Sequence, residues 1–113
     1  MDKHTLLIVD DEPDILDALT LTFEDAFDVE AANTGRDALD VLRNGGAAVI
    51  IADQRMPEMT GAEFLEQASE LAPKSIRIML TGYTDMDALI RAVNAGHIYQ
   101  YVAKPWEPDE LKM

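Results

Sequence analysis

Apolar residues in this chain gather into short unbroken runs, separated by longer stretches in which they recur every three or four positions. Leu6-Leu7-Ile8-Val9 is the first such run, and it stops abruptly at Asp10-Asp11. An unbroken apolar run of this length predicts a strand covered on both faces, because a strand with one wet face would alternate. Pro13 then suits a first helical turn, and Ile15, Leu16, Leu19, Phe23 and Phe27 keep a helical spacing that predicts a helix ending near Asp28. Val29 to Ala32 is a second strand. A helix follows with Ala38, Leu39, Val41 and Leu42 on its apolar side, closed by Asn44-Gly45-Gly46. Ala47 to Ala52 is a third strand, ending on Asp53, and the Pro- and Gly-bearing loop from Gln54 to Gly61 leads into a helix that packs through Phe64, Leu65, Ala68 and Leu71. After Pro73, Ile76 to Leu80 is a fourth strand. Thr84 or Asp85 can cap a helix using Ala88, Leu89, Ala92 and Val93; Ile98 to Ala103 is a fifth strand, and a last helix begins near Glu107.

Strict alternation of strands and helices predicts a doubly wound α/β fold, a five-stranded parallel sheet with helices on both faces. The last helix is cut short at Met113, which leads to the expectation that the natural chain continues. The 113 residues suit one domain with its own core.

Charge narrows the function. With 22 acidic against 9 basic side chains and a net charge of -13, the chain repels polyanions, so direct nucleic-acid binding is not expected. No apolar run approaches the roughly 20 residues of a membrane helix, and Met1-Asp2-Lys3-His4 does not read as a secretion signal, so a cytoplasmic protein without membrane contact is expected. Cys is absent, and His4 and His97 read as structural, so any metal is to be held by oxygen.

In a doubly wound sheet the functional crevice lies beyond the carboxyl ends of the strands. The predicted strands deliver Asp10 and Asp11, Asp53, Thr81 and Lys104 to that rim. Gathered carboxylates repel one another unless a cation neutralises them, and Mg²⁺ accepts one or two carboxylates together with water and a phosphate oxygen. Lys104 offers a positive charge and Thr81 a hydroxyl for phosphoryl oxygens. Asp53, alone at the end of the middle strand, is the candidate nucleophile, and the Asp10-Asp11 pair the candidate metal clamp.

Four motifs, Leu7-Ile8-Val9-Asp10-Asp11-Glu12-Pro13, Asp53-Gln54-Arg55-Met56-Pro57-Glu58-Met59-Thr60-Gly61, Thr81-Gly82-Tyr83 and Tyr101-Val102-Ala103-Lys104-Pro105, together resemble the signature of receiver domains of bacterial two-component response regulators. The resemblance spans essentially the whole chain, making residues 1–113 one receiver domain, the N-terminal part of a longer regulator. It implies the flavodoxin-like strand order 2-1-3-4-5. It also implies that Asp53 takes a phosphoryl group from a sensor histidine kinase. Asp11 would then bind Mg²⁺ directly and Asp10 through water, with Asp53 and the Arg55 backbone carbonyl as further ligands. Thr81 and Lys104 would hold the phosphoryl oxygens, with Tyr101 as the switch aromatic. The fourth helix, fifth strand and fifth helix would form the surface that acts on an attached or partner output domain, with homodimerisation open and transcriptional regulation as the output. Arg55 and Tyr83, each two residues past a site residue, would tune the lifetime of the aspartyl phosphate.

Such a domain catalyses only its own phosphorylation and dephosphorylation. A hydrolase of the haloacid dehalogenase type is the alternative, but it would want a carboxylate where Arg55 stands. A pseudo-receiver that works without phosphorylation has no support from a motif set that is intact. Trp106 is open between core packing and partner contact. Met56, Met59, Met79 and Met86 read as packing, Tyr99 likewise, and Gln54, beside the phosphoacceptor, is expected to point away from it. The loop and the Lys-Pro-Trp run also resemble receivers joined to AAA+ activators or HD-GYP phosphodiesterases.

Overall fold

The computed structural model describes residues 3–81 and 100–103, with backbone alone for Thr81 and residues 100–103. The expectations for the fourth and fifth helices, and for Tyr83, Met86, His97, Tyr99, Lys104 and Trp106, lie outside them. The described elements are β1 (Thr5–Val9), α1 (Pro13–Phe23), β2 (Asp28–Ala32), α2 (Gly35–Asn44), β3 (Val49–Asp53), α3 (Gly61–Leu71), β4 (Ile76–Thr81) and β5 (Gln100–Ala103). The strands pair in the order β2-β1-β3-β4-β5, every pair parallel. That is the order the motif resemblance implied.

Alternation along each strand sorts the apolar residues onto two faces. Leu7, Val9, Ile50, Ala52 and Met79 join Ala38, Leu39 and Leu42 of α2 and Phe64, Leu65 and Ala68 of α3 in one buried cluster. Leu6, Ile8, Ile51, Ile78 and Leu80 meet Leu19 and Phe23 of α1 on the other face. Helices therefore cover both sides of the sheet, which is why its central strands carry no polar face. Met56 and Met79 are core residues and Met59 packs against the same cluster, as the sequence suggested.

Local chemistry fixes where the helices begin. Thr34 caps α2 by accepting the Asp37 amide. At α3, Thr60 Oγ1 accepts the Glu63 amide while Glu63 returns a carboxylate to the Thr60 amide, a reciprocal capping box. Charge of the right sign completes α2, with Asp37 in its first turn and Arg43 in its last.

Three sequence expectations need correction. Helix α1 ends at Phe23 and not near Asp28, because residues 24–27 turn back, with the Ala26 and Phe27 amides both donating to the Phe23 carbonyl. Phe27 keeps its apolar contact all the same, its ring lying edge-on to Phe23 at 6.0 Å. The turn delivers the chain to β2, where the Asp28 amide meets the His4 carbonyl at 3.0 Å. Leu71, expected in the α3 packing face, is 42% exposed, because it is the last residue of the helix and borders the open cleft beside Pro73 and Ile76. Strand β3 begins at Val49 and includes Asp53, although the Ala48 amide already bonds to Thr5.

Candidate functional site

The carboxyl ends of β1 and β3 bring two acids together. Val9 is in register with Ala52, so Asp10 and Asp53 are the next residues on adjacent strands, whose backbones lie about 4.8 Å apart. Asp10 is fully buried and Asp53 is 4% exposed. Asp10 stays tied to the ladder, its amide donating to the Ala32 carbonyl at 3.2 Å, and its Oδ1 accepts the Glu12 amide at 3.0 Å. Asp53 closes β3 opposite Leu80. Carboxylates are rarely buried unless a charge or hydrogen bonds compensate them, and here two stand at neighbouring strand ends.

Asp11 and Glu12 follow on the exposed side of the same edge. One carboxylate oxygen from each of Asp10, Asp11 and Glu12 falls within 4.8 Å of the others. The donors are all hard oxygens, with no sulfur or imidazole in the group, and they suit a divalent cation that keeps part of its water shell, as Mg²⁺ does. Glu12 was not a candidate ligand from sequence. Asp53 is not one of these three oxygen donors; it stands at the end of the neighbouring strand.

The other predicted positions take their places around this edge. Arg55 is exposed in the loop after β3. Thr81 closes β4 and is in register with Ala103, and Tyr101 is in register with Met79. Lys104, which follows Ala103 in the chain, and Tyr83 are outside the described residues.

Two residues at the ends of the connection from β3 to α3, Gln54 and Gly61, have parts that the sequence did not reveal. Gln54 is buried, 6% exposed, and its Oε1 accepts the Ala62 amide at 2.8 Å. Its own amide donates to the Leu80 carbonyl, and its carbonyl accepts the Gly61 amide. Gly61 is needed for close approach: a Cβ there would stand 2.9 Å from the Asp53 carbonyl carbon and from Gln54 Cα. Glu58, between them, has φ of 69°, the left-handed region that a side chain other than Gly enters at a cost. The Thr60–Glu63 pair at positions N-cap and N3 is a readable helix start, and it would have drawn attention to Gly61; nothing comparable marks Gln54.

A separate open cleft of about 810 Å³ lies at the opposite, amino end of the sheet, beside His4, Phe27, Leu71, Pro73 and Ile76. Its lining is mostly apolar and brings no carboxylates together, so size alone does not make it the site. No described helix is long and apolar enough to cross a membrane.

The family profile described as "Response regulator receiver domain" matches residues 6–113. Hydrogenase transcriptional regulatory protein HoxA of Cupriavidus necator is 44% identical over 109 residues, a match covering 96% of this chain and 23% of that protein. The chain thus spans about a quarter of the length of such curated relatives, a second HoxA from Bradyrhizobium diazoefficiens included. Among solved structures, a response regulator receiver domain protein (CheY-like) from Methanospirillum hungatei superposes with a TM-score of 0.91 at 34% identity, covering 97% of this chain and 88% of that one.

Proposed function

Since the chain belongs to the response regulator receiver domain family, we propose that it is the receiver unit, residues 1–113, of a longer cytoplasmic regulator, and that Asp53 accepts a phosphoryl group from a sensor histidine kinase. The observation that carries this reading is the pair of buried acids at neighbouring strand ends, Asp53 on β3 and Asp10 on β1.

In the proposed step an Asp53 carboxylate oxygen attacks phosphorus, the phosphorus–nitrogen bond of the kinase phosphohistidine breaks, and the imidazole leaves with the electron pair. Asp11, Asp53 and the Arg55 carbonyl, with Asp10 through water, would hold Mg²⁺, which when bound would supply positive charge against the phosphoryl oxygens. Asp10 and Asp11 would offer their carboxylates to that ion, and β3 presents Asp53 at the same sheet edge. Lys104 and the Thr81 hydroxyl hold phosphoryl oxygens, and the shift of Thr81 toward them lets Tyr101 turn inward. The surface of the fourth helix, β5 and the fifth helix then changes its contact with an attached or partner output domain, or with a second copy of the chain. Transcription is the output this reading favours, because the relatives named above are transcriptional regulatory proteins. The domain itself neither binds nucleic acid nor turns over an external substrate. Arg55 and Tyr83 set the phosphoryl lifetime by controlling water at the site; Tyr83→Ala is expected to hasten phosphate loss.

The test is direct. Incubation with acetyl phosphate and Mg²⁺ is expected to add one phosphoryl mass to the intact protein, and chelation of the metal or the change Asp53→Asn to prevent it. Undiminished modification of Asp53→Asn would contradict the assignment.

A further inference from the structure

Gln54 is the residue whose burial the phosphotransfer reading does not use. Its side chain sits in the core at the very edge where Asp53 is presented, and a buried amide normally answers to a specific partner. Here the partner is a helix terminus. The first amides of a helix have no acceptor within the helix itself. In α3 the Gly61 amide is taken by the Gln54 carbonyl at 3.0 Å and the Ala62 amide by Gln54 Oε1 at 2.8 Å. The Glu63 and Phe64 amides go to the Thr60 hydroxyl and carbonyl. One residue adjacent to Asp53 therefore supplies both oxygens for the first two amides of α3.

The consequence is a closed loop. Gln54 is fixed to β4 through its amide, which donates to the Leu80 carbonyl at 3.1 Å, and to α3 through its two oxygens. Residues 55–60 are pinned at both ends by this one residue. Gly61, with no side chain, lets the helix start come down onto the Asp53 and Gln54 backbone. The span so held contains Arg55, whose carbonyl is a proposed cation ligand, and Glu58 in its left-handed conformation.

We propose that Gln54 is a positioning residue for the cation and phosphoacceptor site: its side-chain oxygen, by capping the Ala62 amide, holds the Asp53 backbone and the Arg55 carbonyl in the geometry that Mg²⁺ requires. This rests on the receiver reading above. Groups that orient metal ligands without touching the metal commonly change affinity by about tenfold or more when removed. Linkage makes the effect reciprocal, so Mg²⁺ binding must in turn hold the Gly61 and Ala62 amides more firmly closed.

The experiment is calorimetric titration of the 113-residue chain and two variants with MgCl₂ alone. Gln54→Met fills similar space with no oxygen and only a weakly accepting sulfur, and is expected to weaken Mg²⁺ binding about tenfold. Gln54→Glu keeps an oxygen for the Ala62 amide and is expected to bind Mg²⁺ at least as tightly as the unchanged chain. Equal affinity in all three, or equal loss in both variants, overturns the role of the side-chain oxygen. Amide exchange in the unchanged protein decides the matter even if Gln54→Met does not fold: Mg²⁺ is expected to slow exchange at Gly61 and Ala62 while leaving Ala48 and Ile76 unaltered, and no slowing at the first pair overturns the proposal. Absence of any Mg²⁺ binding by the unchanged chain would instead remove the receiver reading, and this proposal with it.

Discussion

Phe64 and Leu71 lie on one helix, two turns apart, yet Phe64 is fully buried near the carboxyl end of the sheet and Leu71 is 42% exposed at the amino end. The same contrast runs across the molecule. At the carboxyl end, buried acids, a helix start pressed onto backbone and a left-handed Glu58 leave little freedom. At the amino end an open cleft borders Leu71, Pro73 and Ile76, and Arg77 Nη1 closes the turn by donating to the Ala72 and Ser75 carbonyls at 3.2 Å. Among the described residues the carboxyl end packs closely around buried acids, whereas the amino end is open. Among the described residues the open cleft and the buried acids thus lie at opposite ends of the sheet.

The contrast is open to measurement, and substitutions along α3 give the largest effect. Phe64→Ala removes a fully buried ring and is expected to lower stability by about 3–5 kcal/mol, whereas Leu71→Ala should change it by much less; urea unfolding of both variants gives the comparison. Similar losses at the two positions would erase the difference between the ends.

Gly61→Ala comes next. The new methyl group meets the Asp53 backbone, which cannot move without disturbing β3, so a loss of about 1–3 kcal/mol is expected, together with slower phosphorylation by acetyl phosphate. An alanine at Gly45, where a Cβ meets nothing within 4 Å, is the matched control at the amino end.

Metal should sharpen the comparison further. At a hundredfold excess over its dissociation constant, Mg²⁺ is expected to stabilise the fold by about 2.7 kcal/mol, and Asp10→Asn to lose most of that gain in thermal unfolding. Retention of the full gain would show that the ion binds elsewhere.

The smallest effect concerns pH. Glu63 accepts hydrogen bonds from the Thr60 amide and hydroxyl, which hold its carboxyl below the ordinary value of 4.5. Its contribution to stability is therefore present above that value and is lost as pH falls through the lowered folded value. Glu63→Gln should flatten this part of the acid side of the stability curve, as followed by denaturant unfolding between neutral and acidic pH.

Much of this was legible in the sequence for a physical reason. A strand covered on both faces must be apolar throughout, so Leu6 to Val9 and Val49 to Ile51 stood out, and an acid ending such a run could only belong to the sheet edge. The strand order was carried by the motif resemblance and not by periodicity. The end of α1 was not legible, because Phe27 keeps the helical period although a turn delivers it. Gln54 was not legible either: a polar residue after an acid reads as loop, and nothing local announces that its side chain will cap Ala62, eight residues on. Glu12 escaped notice as a donor because its place beside Asp10 and Asp11 comes from the turn into α1.

On the proposed reading the carboxyl end of the sheet is a phosphoacceptor site with Asp53 as its nucleophile. An acyl phosphate can be reduced by borohydride, which converts the modified aspartate to homoserine, and peptide mapping then reads the position. Treatment with acetyl phosphate and Mg²⁺ is expected to give homoserine at residue 53 alone, and none when the metal is chelated. Homoserine at residue 10 or 11, or at no position, would contradict the account.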